Sequence, residues 1–258
     1  MIDPVGAEHR ALVARFSRTE ARAGIDAIFA IEREVLQSAA SHLDHTVAHA
    51  RLAYWDEELR RLAAGVPTHP LALTLVRCAA DLGLAPPDLA PLVGIAQVML
   101  AQAQFDTRKE IEAVFVAWGR SVFATVTNFE AAAAALARGV ATPSTSRRAR
   151  SVALQLGALV HEMDWLSQGT ATDDTEPLER LRMLRTSTRS IVRRLDADGL
   201  RDCAGSIAWC SLVVAYSDAH CAASSHGRFA PLRRTIAAWR AAVACRRGQI
   251  PTALTEQS

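Results

Sequence analysis

Residues 21–36 read ARAGIDAIFAIEREVL, and this stretch decides the fold class. Its large apolar residues recur three or four positions apart, which is the spacing of one face of an α-helix: Ile25, Ile28, Phe29 and Leu36. Glu32 falls on the same face, so its carboxylate is expected to point into an apolar interior. A buried carboxylate without a partner is costly, so it pairs with an arginine or binds a metal ion. The sequence alone does not decide between an arginine and a metal ion as the partner of Glu32.

The composition extends this helical pattern to the whole chain. Fifty of the 258 residues are alanine and only 5% are aromatic, and alanine is the strongest intrinsic helix former. No segment alternates with the period of a strand. We therefore predict a single all-α domain over residues 1–258, with a frayed tail over 248–258. Proline, glycine and capping residues place its helices at about 6–16, 18–40, 42–64, 70–83, 88–104, 107–139, 147–167, 176–197, 200–224 and 230–247.

Charge and cysteine usage exclude several classes of protein. The 29 Lys+Arg against 27 Asp+Glu leave a net charge of +2, which is too balanced for a dedicated nucleic-acid-binding protein. The cysteines have no CxxC spacing and lie in apolar stretches, which predicts buried free thiols in a reducing compartment: Cys78, Cys203, Cys210, Cys221 and Cys245. The N-terminal residues lack the segments of a signal peptide, and no uncharged apolar run reaches about 18 residues. A cytoplasmic protein is expected, with contact at a membrane surface left open.

Acidic residues on apolar helices are the candidates for chemistry. The chain has no P-loop, no GxSxG and no HExxH motif. Helical bundles can instead host reactions between carboxylates that project inward from facing helices. Glu32 and Glu34 interrupt one apolar helix, and Glu162 and Asp164 interrupt another, next to His161. A structural Arg–Glu pair is the alternative interpretation of these acids.

A histidine cluster offers a second candidate site. His42, His45 and His49 follow one another at i, i+3 and i+7. These positions span about 10 Å of helix rise, so three such ligands cannot meet at one ion. A solvated polar helix face is the interpretation that we expect.

Residues 50–70 carry a resemblance to a known family. They read ARLAYWDEELRRLAAGVPTHP, which resembles the helix and Gly-x-Pro-x-His-Pro turn of the squalene/phytoene synthase family. Further segments are similar to later family motifs in the same order: residues 104–107 through 118–119, 156–159 and 238–240. The resemblance implies an all-α bundle of the isoprenoid (terpenoid) synthase type. On this helix we expect Trp55 and Leu59 in the core, and Arg51 facing an acidic partner or a bound anion.

The resemblance also implies a chemistry. Active members of the family use two aspartate-rich motifs on facing helices to hold Mg²⁺ against the diphosphates of two prenyl substrates. Carried over to this chain, the metal ligands would be Glu32, Glu34, Glu162 and Asp164. Arg51 and Arg22 would be the groups that bind diphosphate.

Both metal motifs depart from the family pattern. Residues 32–38 read EREVLQS without an aspartate, and Asp164, Ser167 and Gln168 stand where Asn-x-x-Arg-Asp is expected. The leading hypothesis is therefore a catalytically impaired relative that binds a lipid, an isoprenoid or a protein partner as an accessory factor, with no cofactor. An active Mg²⁺-dependent prenyl diphosphate transferase that condenses substrates head to head is the alternative. A helical scaffold without a small-molecule site is the third hypothesis.

Overall fold

The computed structural model describes residues 4–39, 43–101, 108–140, 147–169, 175–221 and 230–255. Within these ranges the chain is helical and contains no strand, which confirms the all-α prediction. A 3-10 turn spans Thr252–Leu254. The helices are α1 Pro4–Phe16, α2 Thr19–Gln37, α3 His45–Ala63, α4 Pro70–Asp81, α5 Pro91–Leu100, α6 Arg108–Ser121, α7 Phe123–Ala137, α8 Arg147–Gly169, α9 Thr175–Val192, α10 Ala197–Asp202, α11 Ala204–Cys221 and α12 Ala230–Arg246. None of the described helices has the length and apolar character needed to cross a membrane.

Two of the predicted helices are each divided in the structure. The segment expected as one helix over 107–139 breaks at Val122, and the segment over 200–224 breaks at Cys203. Cys203 has a non-helical backbone at φ −119° and ψ 33°. The second break has a clear physical reason, because a buried carboxylate from another helix binds the new N-terminus. Glu130 of α7 accepts hydrogen bonds from the backbone N–H groups of Gly205 and Ser206, at 2.6 and 2.8 Å.

The core is organised around α7, which is buried on nearly every side. Residues 123–135 of this helix are buried apart from Asn128, as expected for a helix that is apolar all round. Beside it, α6 and α8 cross with their backbones in contact at Gly119 and Gly157. A Cβ atom at Gly119 would lie 2.4 Å from the backbone N of Ala158, so only glycine permits this approach. The crossing brings residues that neighbour the two glycines on α6 and α8 into the same part of the core.

The helix α3 presents the face that the sequence predicts. Trp55 and Leu59 are 3% and 0% exposed, which confirms both as core residues. Glu58 of the same helix accepts hydrogen bonds from the backbone N–H groups of Thr68 and His69, both at 2.6 Å. These bonds hold the turn between α3 and α4. In the segment that carries the family resemblance, Glu58, Thr68 and His69 therefore stabilise the connection between α3 and α4.

The prediction of a frayed tail over residues 248–258 is wrong for most of this segment. Leu254 is fully buried, so residues 248–255 are not frayed; residues 256–258 lie outside the described part. Arg189 of α9 and Arg193, which directly follows this helix, donate to the carbonyl oxygens of Ala253 and Thr255, at 3.2 and 2.8 Å. An apolar anchor and two side-chain bonds thus hold a segment that has little intrinsic helix propensity.

Four of the five cysteines agree with the prediction of buried free thiols: Cys78, Cys203, Cys210 and Cys245. Burial raises the pKa of the Cys245 thiol to about 12. Cys221 ends α11, and its side chain lies outside the described part of the structure.

Candidate functional site

Three helices bring a cation and two carboxylates together in the core. Arg10 of α1, Glu32 of α2 and Asp164 of α8 are 6%, 0% and 6% exposed. Arg10 Nε lies 2.6 Å from Glu32 Oε2, and Arg10 Nη2 lies 2.9 Å from Glu32 Oε1. Arg10 Nη1 donates to Asp164 Oδ2 at 3.1 Å. One guanidinium therefore bridges the two acids, and we call these residues the Arg10 cluster.

Aromatic rings and two histidines surround the Arg10 cluster. Trp118 Nε1 donates a further hydrogen bond to Glu32 Oε1 at 2.6 Å. The Arg10 guanidinium carbon lies 5.2 Å from the centre of the Trp209 ring, which is a favourable cation–π distance. His161 Nε2 and His9 Nδ1 each lie 3.7 Å from a carboxylate oxygen of the cluster, too far for a hydrogen bond. The cluster is thus enclosed by side chains that exclude bulk water.

The electrostatics show how strongly the cluster depends on its arginine. Burial by itself would raise the pKa of Glu32, but the charge and hydrogen bonds of Arg10, together with the nearby His161, lower it to about 2. The pKa of Asp164 is also lowered, because His9 and Arg10 outweigh the effect of burial. The two carboxylates raise the pKa of Arg10 in return. All three groups are therefore charged at neutral pH.

The four predicted metal ligands do not converge. Glu32 and Asp164 face the same guanidinium, whereas Glu162 pairs with Arg180 of α9 at 2.6 and 2.8 Å. Glu34 lies away from them near the surface, 3.8 Å from His69 Nε2. Across the described ranges, no group of three His, Cys, Asp or Glu side chains is placed to hold a metal ion.

The arrangement of the Arg10 cluster does not fit Mg²⁺. This ion prefers octahedral oxygen coordination at about 2.0–2.1 Å. Here a guanidinium cation lies between the two carboxylates, and the oxygens of Glu32 accept three hydrogen bonds from Arg10 and Trp118. A metal ion in the same place would be repelled by Arg10 and would have to displace those donors.

The two arginines expected to bind diphosphate lie outside the Arg10 cluster. Arg51 is exposed on α3, and within the described residues it has neither a hydrogen-bond nor an ion-pair partner. The acidic partner expected for it is therefore not among those residues. Arg22 is exposed on α2 and donates to the carbonyl oxygens of Ala14 and Arg15, at 3.2 and 3.1 Å.

The histidine cluster has the character that the sequence predicts. His45 and His49 are exposed on α3, with ring centres 4.3 Å apart, as expected of a solvated polar face. His42 lies outside the described residues.

Sequence reasoning missed Arg10, which completes the cluster, and its neighbour His9, which lies beside Asp164. A signal was present in the sequence, because the apolar residues Val13 and Ala14 follow Arg10 at i+3 and i+4. The structure shows that both are buried. Arg10 therefore lies on the apolar face of α1. Chemically, the cluster is a closed set of ion pairs that joins α1, α2 and α8.

Comparisons with known proteins gave no match: no family model, no curated protein and no solved structure shows significant similarity to this chain.

Proposed function

We propose that this protein is a catalytically impaired relative of the squalene/phytoene synthases that acts as a lipid-, isoprenoid- or partner-binding accessory factor. The observation that carries the proposal is the Arg10 guanidinium between Glu32 and Asp164. In a working synthase, acids on facing helices would hold Mg²⁺ against substrate diphosphates. In this chain an internal cation neutralises the corresponding acids. The all-helical architecture agrees with an isoprenoid synthase-type bundle.

The surface of α12 supports a binding role. Leu232, Ile236 and Trp239 are 56%, 40% and 53% exposed and follow one another at i, i+4 and i+7. Arg233 and Arg240 are exposed beside them. An apolar stripe with a tryptophan and flanking arginines is typical of helices that lie on anionic membrane surfaces. We therefore place the peripheral membrane contact of the proposed accessory factor on this stripe.

The test of the proposed function is a product assay with a matched binding assay. Purified protein is incubated with labelled farnesyl and geranylgeranyl diphosphate and Mg²⁺, and the extracted products are separated. We expect no condensed product. In parallel, sedimentation with anionic vesicles should show binding by the wild type and weaker binding by Trp239→Ala. The matched control is Trp165→Ala, since Trp165 is 49% exposed but lies on α8.

The alternative function is an active Mg²⁺-dependent prenyl diphosphate transferase. It is favoured by one observation, namely that Glu32 and Asp164 project toward each other from α2 and α8. This function requires Arg10 to leave the space between them. Formation of a condensed product that is lost in Glu32→Ala or Asp164→Ala would establish the transferase. If the protein forms no product and does not bind vesicles, the helical scaffold is favoured instead.

A further inference from the structure

A groove lined by arginines lies at the junction of α1 and α2. It has a volume of about 550 Å³, and its walls include Arg18 and Arg22 from the start of α2, Arg201 from α10 and Arg246 from the end of α12. Three separate parts of the chain thus direct guanidinium groups toward one space. The groove is remote from the Arg10 cluster, because Arg18 precedes Glu32 by fourteen residues, about 21 Å along an α-helix.

Two of these arginines are held in place without losing their charge. Arg22 donates to the carbonyl oxygens of Ala14 and Arg15, and Arg246 Nη2 donates to the carbonyl oxygen of Phe16 at 2.8 Å. The acceptors are the last carbonyl groups of α1, which carry only a partial negative charge. Anchored guanidinium groups lose little conformational freedom when a ligand binds, so they are pre-organised for an anion.

The charge balance of the groove is positive. Arg201 pairs with Asp198 at 2.6 Å, and Glu20 is the acid in the groove wall. Arg18 has no hydrogen-bond or ion-pair partner within the part of the chain that the structure describes. Four arginines against two acids leave a net charge of +2.

Two carboxylates near the groove, those of Glu130 and Asp202, already have partners elsewhere in the protein. Glu130 and Asp202 line a small cavity next to it, together with Arg18, Arg201 and Arg246. The Glu130 oxygens accept bonds from the N-terminus of α11, and Asp202 pairs with Arg138. Arg138 compensates Asp202, whereas the partners of Glu130 are neutral donors. With Glu130 counted as a third acid, the four groove arginines still leave a net charge of +1.

The first turn of α2 adds neutral donors to this positive groove. Arg18 occupies the N-cap position and makes no side-chain capping bond. The backbone N–H groups of Thr19 and Glu20 consequently lack acceptors within the described residues. Free N–H groups at a helix N-terminus favour an anion, and guanidinium groups match the oxygens of a phosphate in pairs.

We propose that this groove is a binding site for a phosphate group. Pockets for small organic ligands commonly measure about 300–1,000 Å³, so the groove can hold a phosphate together with the molecule that carries it. The phosphate belongs either to a free phosphorylated compound or to the headgroup of an anionic lipid. This proposal does not depend on the function proposed above, because the arginine groove and the Arg10 cluster share no residue.

The experiment measures both sources of phosphate on the full chain. Isothermal titration with inorganic phosphate at constant ionic strength tests the free anion, with chloride as the reference. Sedimentation with phosphatidylcholine vesicles, with and without phosphatidic acid, tests the headgroup. The variant is Arg18→Gln combined with Arg201→Gln, because neither side chain anchors α1. The matched control is Arg33→Gln, which removes a positive charge from the exposed face of the same helix α2.

We expect binding in at least one arm, a tenfold or greater loss in the double variant, and no more than a twofold change in Arg33→Gln. Binding to vesicles alone that is weakened in the double variant identifies a lipid headgroup in the groove, whereas binding of inorganic phosphate identifies a free phosphorylated ligand. If only vesicles bind and the double variant retains this binding, the apolar stripe of α12 is responsible and the proposal is overturned. Absence of binding in both arms overturns the proposal. Equal losses in the double variant and in Arg33→Gln also overturn it, because they would show only general charge attraction. Melting temperatures of the variants, measured without phosphate, establish that each remains folded.

Discussion

Replacing Arg10 with methionine removes the cation of the Arg10 cluster while keeping a long aliphatic side chain. Glu32 and Asp164 would remain buried without the guanidinium that binds both of them. Breaking a buried ion pair by removing one partner costs about 3–5 kcal/mol. We therefore expect Arg10→Met to lower the free energy of unfolding at neutral pH by that amount.

The pKa of Glu32 gives a second route to the same magnitude. The folded protein lowers this pKa from 4.5 to about 2. At about 1.4 kcal/mol for each pH unit, this difference corresponds to about 3 kcal/mol of stability at neutral pH. Because the pKa is lower in the folded state, the contribution is complete above about pH 4.5 and is lost as the pH falls toward 2.

The pH dependence makes the Arg10 prediction specific. In Arg10→Met, burial without the cation raises the pKa of Glu32 above its ordinary value, so protonation at low pH relieves the unpaired charge. The loss of stability relative to the wild type should therefore be smaller at pH 5 than at pH 8. Urea unfolding followed by tryptophan fluorescence measures it, since Trp118 and Trp209 contact the cluster.

A surface variant provides the control. Arg60→Met removes an exposed arginine that pairs with Asp56 and Glu57 on α3, and exposed pairs contribute at most about 1 kcal/mol. A loss below about 1 kcal/mol for Arg10→Met at pH 8 would refute the reasoning. An equal loss at both pH values would refute the electrostatic explanation and leave only a packing defect.

Three further predictions concern the core, a helix cap and metal ions. Trp55→Ala should cost about 3–5 kcal/mol in denaturant unfolding, because the ring is 3% exposed; a loss below about 1 kcal/mol would contradict its place in the core. Gly205→Ala should lower the melting temperature, since the new Cβ would lie 2.3 Å from Glu130 Oε1. Gly94→Ala in α5 is its control, because nothing lies within 4 Å of the new Cβ, and it should be neutral or stabilising; similar losses in both variants would argue against the cap. Mg²⁺ alone should leave the melting temperature unchanged, because Arg10 neutralises the acids between α2 and α8. A rise of several degrees with Mg²⁺ and a prenyl diphosphate, abolished by replacing either acid of the Arg10 cluster with alanine, would support the transferase.

The amino-acid sequence determined the local features of this protein. Apolar spacing at the helical period was enough to predict α2, and to place Glu32 on its buried face and Trp55 and Leu59 in the core. Proline and glycine marked most of the helix ends. These features depend on residues within a few positions of one another, so the order of the amino acids carries the information.

The partners of the buried charges were decided only by the tertiary structure. Asp164 binds Arg10, 154 residues away, whereas Glu162 two positions earlier binds Arg180 of a different helix. Helical periodicity states which face a side chain lies on, but not which helix packs against that face. α1 packs against α2 and α11, and its Arg10 side chain reaches Asp164 of α8, so that a guanidinium lies where two carboxylates would otherwise repel each other. The cluster is therefore an ion-paired joint between helices, because residues far apart in sequence supply its opposite charges.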